Sequence, residues 1–154
     1  MKLQHVLDSK PPQEIISVSP DSTVAEATHT MCERHVGALV VMEPDEKTMV
    51  GIVSERDLLR HLCAQCNDPA TAATRTVREI MTRDVVVASP DDHVQHAMSI
   101  MSKHHIRHLP IVDKTRVVGM ISIGDLLSEL YAQDELKIQH LNDFLGGTYG
   151  LRVY

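Results

Sequence analysis

The stretch Val50-Gly51-Ile52-Val53-Ser54-Glu55-Arg56-Asp57-Leu58-Leu59 recurs as Val118-Gly119-Met120-Ile121-Ser122-Ile123-Gly124-Asp125-Leu126-Leu127. Six of the ten positions are identical, and the second stretch follows the first at an offset of 68 residues. Self-similarity at a fixed spacing is the signature of an internal duplication. The chain is therefore predicted to contain two copies of one small folding unit.

The similarity continues upstream of both stretches. Residues 18–43 read VSPDSTVAEATHTMCERHVGALVVME, and residues 88–113 read ASPDDHVQHAMSIMSKHHIRHLPIVD, at an offset of 70. An apolar stretch precedes each Ser-Pro-Asp turn, and a helix with apolar positions at i, i+3 and i+7 follows it. Two β-rich runs joined by a short turn come next, at 38–42 with 49–53 and at 108–112 with 116–121.

Each copy is therefore predicted to be a β-α-β-β-α unit, with its second helix starting after Ser54 or Ser122. One such unit is too small to bury both faces of its sheet. We expect an α/β fold of the α+β type, with two repeats packed sheet to sheet around a pseudo-two-fold axis. The expected divisions are 1–66 for repeat 1, 67–82 for a linker, 83–132 for repeat 2, and 133–154 for a helix extension and tail that ends the helix near Gly146-Gly147. Within the linker, residues 67–71 are expected to be loop, and residues 76–79 have the spacing of a capping box before a short helix.

Composition excludes several classes of protein. The net charge is −6 and the chain has one Phe and no Trp, which argues against a nucleic-acid surface that is basic or rich in stacking aromatics. No apolar run is long enough to span a membrane, and the N-terminus lacks the apolar core of a signal peptide. Three cysteines do not make a disulfide framework. We expect a cytoplasmic protein.

The pattern Gly-x-x-Ser-x-x-Asp occurs in both copies, as Gly51, Ser54 and Asp57 and again in residues 119–125. A helix N-terminus offers unpaired N–H groups to a phosphate, and an Asp one turn later can accept from ribose hydroxyls. The same spacing is typical of a capping box, which needs no ligand. Spacing alone favours the cap over the ligand site, although one Ser could serve both.

These motifs, together with His-Ile-Arg-His-Leu-Pro-Ile-Val-Asp at 105–113, resemble tandem CBS domains, the pair often called a Bateman module. The resemblance covers roughly residues 6–130. It implies a regulatory module with two clefts that bind AMP, ADP, ATP, S-adenosylmethionine or a similar adenosyl ligand, each cleft drawing on both repeats. It also implies a homodimer built as a disk of four repeats, and an unknown protein that the module regulates.

The resemblance implies a role for particular residues. Asp57 and Asp125 would hold ribose, and Ser54 and Ser122 would lie beside the phosphates. The base would lie between the apolar strand starts of the two repeats. The full expected ligand-binding set is Ile16, Val36, Gly37, Ala38, Ser54, Arg56, Asp57, Val86, Ile106, Arg107, His108, Ser122, Gly124 and Asp125.

The two copies differ at positions that would meet phosphate. Arg56 in the first copy corresponds to Gly124 in the second, and Gly37-Ala38 corresponds to Arg107-His108. Arg56, Arg107 and His108 are the cations expected to meet phosphate charge. For Arg56, a solvated helix face is an equally good interpretation. We expect two unequal clefts, with occupation of only one as a realistic outcome.

The histidines and cysteines suggest other functions. His104 and His108 have i, i+4 spacing, but a helix end between them would separate their side chains, so no metal site is expected. His35 and His105 recur at the helix end and are expected to be structural. Cys63 and Cys66 have redox or zinc spacing without a second pair, and Cys32 is expected to be in the core.

No set of nucleophile, base and orienting group is evident, so the chain is not expected to be an enzyme. Three functions remain in order of preference. The first is an adenosyl-ligand sensor that modulates a partner protein. The second is a dimerisation scaffold with empty clefts, and the third is a redox- or metal-linked regulator that uses Cys63 and Cys66.

Overall fold

The computed structural model describes residues 1–11, 14–45, 48–65 and 67–144, and beyond residue 135 it describes the backbone alone. The elements of the first half are α1 (Leu3–Ser9), β1 (Ser17–Val18), α2 (Val24–Arg34), β2 (Ala38–Met42), β3 (Met49–Ser54) and α3 (Glu55–Ala64). Those of the second half are α4 (Pro69–Thr74), α5 (Val77–Ile80), α6 (Val94–His104), β4 (His108–Asp113), β5 (Arg116–Ser122) and α7 (Ile123–Phe144). The mixed α/β fold with two similar halves is confirmed.

The first repeat forms a three-stranded sheet in the order β1-β2-β3, with β1 parallel to β2 and β2 antiparallel to β3. The second repeat forms only the antiparallel pair β4-β5. The strand expected at 85–87 is replaced by a single parallel bridge between Ala88 and Ile111. The β-α-β-β-α prediction therefore holds for the first copy. In the second copy the first predicted strand does not form.

A proline explains the missing strand. In the first repeat, the Val40 N–H donates to the Ile16 carbonyl, which joins β1 to β2. The corresponding position in the second repeat is Pro110, which has no N–H to donate. Only the bonds around Ala88 remain, from Ala88 N–H to the Pro110 carbonyl and from Val112 N–H to the Ala88 carbonyl.

The first helix of each repeat buries its predicted face. Val24, Ala27 and Met31 are buried in α2, and their equivalents at 94, 97 and 101 are buried in α6. Both helices end on a histidine in the left-handed conformation, His35 and His105, each with φ of 53°. The structural role expected for this histidine pair is therefore confirmed, since each terminates a helix.

Cys32 is exposed, and the expectation that it lies in the core is wrong. It follows Met31, which is buried. One residue along an α-helix turns the side chain by about 100°, which carries Cys32 away from the buried face.

Each repeat has its own apolar core, and a third cluster joins them. Val40 and Met42 of β2 meet Val117 of β5 in this cluster, with Met49 and Met120 packed beside them. The residues come from both sheets, as the sheet-to-sheet packing requires.

The two repeats also exchange their leading helices. Leu3 and Val6 of α1 are fully buried in the core of the second repeat, whereas Val77 of α5 is fully buried in the core of the first. The capping box predicted at residues 76–79 is present at the start of α5. Neither α1 nor α4 was predicted, and residues 69–71, expected to be loop, begin α4.

Among the described residues, no helix combines the length and hydrophobicity that crossing a bilayer requires. The glycines expected to end α7 lie outside the described residues.

Candidate ligand-binding cleft

The turn between β5 and α7 positions Ser122 and Asp125. Asp125 Oδ2 accepts from the Ser122 N–H at 2.7 Å and from the Ser122 hydroxyl at 2.8 Å. The Asp125 N–H lies 3.2 Å from the same hydroxyl oxygen. The equivalent turn repeats the first two contacts, because Asp57 Oδ2 accepts from the Ser54 N–H at 2.8 Å and from its hydroxyl at 2.6 Å. Both turns therefore act as helix caps, as spacing alone favoured.

A lysine distinguishes the second turn from the first. Lys10, which follows α1, donates through Nζ to Asp125 Oδ2 at 2.9 Å and to the Met120 carbonyl at 3.1 Å. Burial disfavours the charged form of Asp125, but the donors from Ser122 and Lys10 outweigh it and hold the pKa of this carboxyl below its usual value. Asp125 is thus an ionised acceptor at neutral pH.

Asp125 opens onto a cavity of about 650 Å³ between the two repeats. Its walls contain seven of the residues expected from sequence, which come from both copies. They are Ile16, Val36, Gly37, Ala38, His108, Ser122 and Asp125. Helix α1 and the residues after it close one side through Leu7, Lys10 and Pro11.

A second cavity of about 460 Å³ adjoins the first. The two share His35, Val36, Gly37, His108 and Ser122. Arg107 and Gly124 line only the smaller one, together with Glu55 and Cys32. The backbone is closely packed here, because a Cβ on Gly37 would lie 3.0 Å from the His108 ring.

Ser54, Arg56, Asp57, Val86 and Ile106 line neither cavity. Val86 and Ile106 pack against the core of the second repeat. The Arg56 guanidinium donates to the His105 carbonyl at 2.9 Å, so it bridges the repeats across their surface. A second cleft built on Asp57 stays a prediction.

The cations expected to meet phosphate differ in their surroundings. Arg107 approaches Glu55 at 4.0 Å, with both side chains about 60% exposed. Burial, followed by the charge of Arg107, lowers the pKa of His108, although the carboxylates of Glu55 and Asp125 oppose the shift. His108 is therefore an uncharged group at neutral pH.

Lys10 and Leu7 are two of the lining residues that were not predicted from the sequence. Leu7 packs against Gly119, where an added Cβ would lie 2.6 Å from its Cδ2. One signal was available: thirteen positions separate Leu7 from Pro20, but nine separate the equivalent Met81 from Pro90. The first copy thus carries four extra residues before its Ser-Pro-Asp turn.

The geometry gives little support to the metal or redox sites that the histidines and cysteines suggested. In the part of the chain that the structure describes, no three His, Cys, Asp or Glu side chains are grouped as metal ligands. His104 ends α6 and His108 begins β4, which confirms the predicted break between them. Cys63 is exposed near the end of α3, and Cys66 lies outside the described residues.

Proteins similar to this chain in sequence and in structure contain CBS domains. CBS domain-containing protein CBSX3, mitochondrial, of Arabidopsis thaliana is 34% identical over 132 residues, which is 84% of this chain and 63% of that protein. This chain therefore spans less than two thirds of that relative. The CBS domain pair of protein MJ0100, solved with 5′-methylthioadenosine and S-adenosyl-L-methionine, is 30% identical with a TM-score of 0.70, covering 87% of this chain and 98% of that one.

CBS domain protein PAE2072 from Pyrobaculum aerophilum, solved with AMP, is 27% identical with a TM-score of 0.70, covering 86% of this chain and 99% of that one. The family model of the CBS domain matches twice, at residues 9–64 and 77–132. These two matches contain the strands of both repeats and most of the residues that line the cavity between them, whereas Gln4, Leu7 and Asp8 precede the first match. The chain therefore belongs to the CBS domain family, and it carries the domain as a tandem pair.

Proposed function

We propose that this chain is a regulatory module that binds an adenosyl ligand, such as AMP, ADP, ATP or S-adenosylmethionine, and thereby modulates a partner protein. The observation that carries the proposal is the cavity in which Asp125 of one repeat faces the apolar strand starts of the other. Its volume of about 650 Å³ falls within the range of small-molecule sites, about 300–1,000 Å³.

The chemistry of the cavity suits a nucleoside. Ile16, Val36 and Ala38 provide an apolar side for a purine. Asp125 provides an ionised acceptor for ribose hydroxyls. The three donors from Ser122 and Lys10 all bond to its Oδ2, which leaves Oδ1 without a hydrogen bond from the described residues. Two solved relatives hold adenosyl compounds, which supports this class of ligand.

The proposal includes no reaction. The hydroxyls of Ser54 and Ser122 both donate to carboxylates of their own turns. An activated serine would instead need a base oriented by a third group. Both serines therefore act as caps, and Ser122, which lines the cavity, is proposed as a ligand contact as well.

The test is calorimetric titration with AMP, ADP, ATP and S-adenosylmethionine, combined with thermal melting. A ligand at one hundred times its Kd should stabilise the fold by about 2.7 kcal/mol. Asp125→Asn should abolish binding in the cavity, whereas Asp21→Asn, a surface carboxylate 71% exposed, should not change it. Absence of heat and of a melting shift at millimolar ligand would refute the proposal.

Asp57→Asn tests the predicted second cleft. If both clefts bind, this variant should lower the stoichiometry by one site and leave the Asp125 site intact. An unchanged stoichiometry in both Asp57→Asn and wild type, at one ligand per chain, would remove the second cleft from the proposal.

The second candidate function is a dimerisation scaffold. Its support is an exposed apolar set on α3 and α7, with Leu59 at 63%, Leu62 at 43%, Leu127 at 39% and Tyr131 at 69% exposure. Leu59 and Leu127 occupy equivalent positions of the two repeats. Exposed apolar side chains grouped on two helices are typical of an interface. Light scattering should report a homodimer at micromolar concentration, and Leu59→Glu should yield monomers. A monomeric wild type would refute the scaffold.

A further inference from the structure

Lys10 is a fixed part of the larger cavity. Its Nζ bonds to both Asp125 and the Met120 carbonyl. The side chains of Lys10 and Asp125 are 22% and 27% exposed. Charge-assisted bonds between partly buried groups hold both partners in place more firmly than a surface ion pair would. The ammonium therefore lies beside the carboxylate that would hold ribose.

Lys10 lies in residues 8–14, between Leu7 and the apolar stretch that leads into the Ser-Pro-Asp turn. The equivalent segment after Met81, residues 82–84, is four residues shorter. Among the described residues, the Asp57 turn has no equivalent cation, and the donors to Asp57 Oδ2 are the N–H and the hydroxyl of Ser54. The ion pair is thus a feature of one cleft rather than of the repeat.

The remaining charge of the larger cavity is negative. Asp8, Glu14 and Asp113 line it in addition to Asp125, and of these Glu14 also lies 3.8 Å from Arg34, which does not line the cavity. Lys10 is the only lysine or arginine among the described residues that line it, and its ammonium already neutralises Asp125. Two histidines also line the cavity, and burial lowers the pKa of His108 so that it adds no positive charge at neutral pH.

The arginines near the cavity have other partners. Arg56 donates to the His105 carbonyl and lines neither cavity. Arg107 lines only the smaller cavity, where Glu55 lies 4.0 Å from it. A phosphate on the ribose 5′ position would therefore enter a region of carboxylates without an uncommitted cation, which disfavours binding.

We propose that the larger cavity selects adenosyl ligands with an uncharged or cationic 5′ group, a thioether or a sulfonium, over adenine nucleotides because of its excess of carboxylates, and that Lys10, by neutralising Asp125, limits the preference for a sulfonium over a thioether. This inference rests on the proposed function and narrows its ligand class. A thioether nucleoside can contact the apolar side of the cavity and bond to Asp125 through its ribose, and it brings no negative charge. S-adenosylmethionine adds a positive charge, which the surrounding carboxylates attract.

The first experiment titrates the wild-type chain with 5′-methylthioadenosine, S-adenosylmethionine, AMP and ATP at low salt. The thioether and the sulfonium should bind at least about tenfold more tightly than AMP, with ATP the weakest. AMP or ATP binding as tightly as the thioether would overturn the inference and leave the proposed function standing. Absence of binding by all four would overturn the proposed function itself.

The second experiment uses Lys10→Met. Loss of the ammonium leaves Asp125 uncompensated, so the preference for sulfonium over thioether should rise by about tenfold. Lys10→Arg keeps the charge and should keep the wild-type ratio, and so should Lys2→Met, whose lysine pairs with Asp91 outside the cavity. An unchanged ratio in Lys10→Met would overturn the role given to Lys10.

Salt provides a check that needs no variant. Raising ionic strength from 0.05 M to 0.5 M shortens the screening length well below 10 Å. The wild-type preference for sulfonium over AMP should then shrink, because its origin is electrostatic. A preference that does not respond to salt would overturn the charge argument even if Lys10→Met fails to fold.

Discussion

Asp125 illustrates how one side chain can serve the fold and a ligand together. Its Oδ2 caps the last helix through Ser122 and receives Lys10. A carboxylate has a second oxygen with its own lone pairs, so the cap does not exclude ribose. The cap and the proposed ribose contact are therefore compatible, since they use different oxygens.

His108 should make stability depend on pH. Its pKa is lowered by burial and by Arg107, with Lys10 acting in the same direction and Glu55 and Asp125 opposing. Because the unfolded chain takes up a proton at the ordinary value while the folded chain does not, stability falls as the pH drops below about 6.5. Replacing His108 by Gln should remove the part of this stability loss that comes from His108.

The measurement is the urea midpoint at pH 7.5 and pH 5.0. Wild type should lose more stability over this interval than His108→Gln. His96→Gln, on an exposed position of α6, should behave like wild type. Equal losses in wild type and His108→Gln would contradict the assignment.

Substitution by alanine should lower the free energy of unfolding by different amounts at two equivalent glycines. A Cβ on Gly51 would lie 2.7 Å from Met81 Sδ and 2.8 Å from the Thr82 carbonyl oxygen, whereas on Gly119 it would meet only Leu7. Backbone cannot move aside as a side-chain end can, so Gly51→Ala should cost about 1–3 kcal/mol and Gly119→Ala less. Urea denaturation compares the two, and a larger loss at Gly119 would contradict the argument.

At the scale of elements, the sequence predicted well wherever a pattern was local. The helices α2 and α6 follow their apolar spacing, and the hairpins follow their β-rich runs. The strand at 85–87 was mispredicted because its partner position is Pro110. The apolar run alone does not indicate which residue lies opposite it in the sheet. Lys10 was missed for a similar reason, since its acceptor is 115 residues away.

Helix α1 was missed because its seven residues are too few for a clear period. Its burial in the opposite repeat makes it a strong stability determinant nevertheless. Leu3 is fully buried, so Leu3→Ala should cost about 2–5 kcal/mol. Leu59→Ala, at a position 63% exposed, should cost far less. Chemical denaturation measures both, and a Leu3→Ala loss below that of Leu59→Ala would show that α1 does not dock as described.

At the scale of the whole molecule, the exchanged helices bind the two repeats to each other. The first residues of the chain complete the second repeat through the Leu3 N–H bond to the Asp92 carbonyl, and the linker completes the first through the Val77 N–H bond to the Ser22 carbonyl. The cluster of Val40, Met42 and Val117 adds a shared apolar contact. Neither repeat is therefore a self-sufficient folding unit, although each matches a family model.

This interlocking predicts one cooperative unfolding transition for the pair. Calorimetry should give a single peak whose calorimetric and van't Hoff enthalpies agree, which is the test of two-state behaviour. Val117→Ala removes part of the shared cluster and should lower the single midpoint without splitting it, because the exchanged helices still couple the repeats. A ligand in the cavity between them should raise the same midpoint. Two separable peaks, with only one moved by Leu3→Ala, would mean that the repeats fold independently.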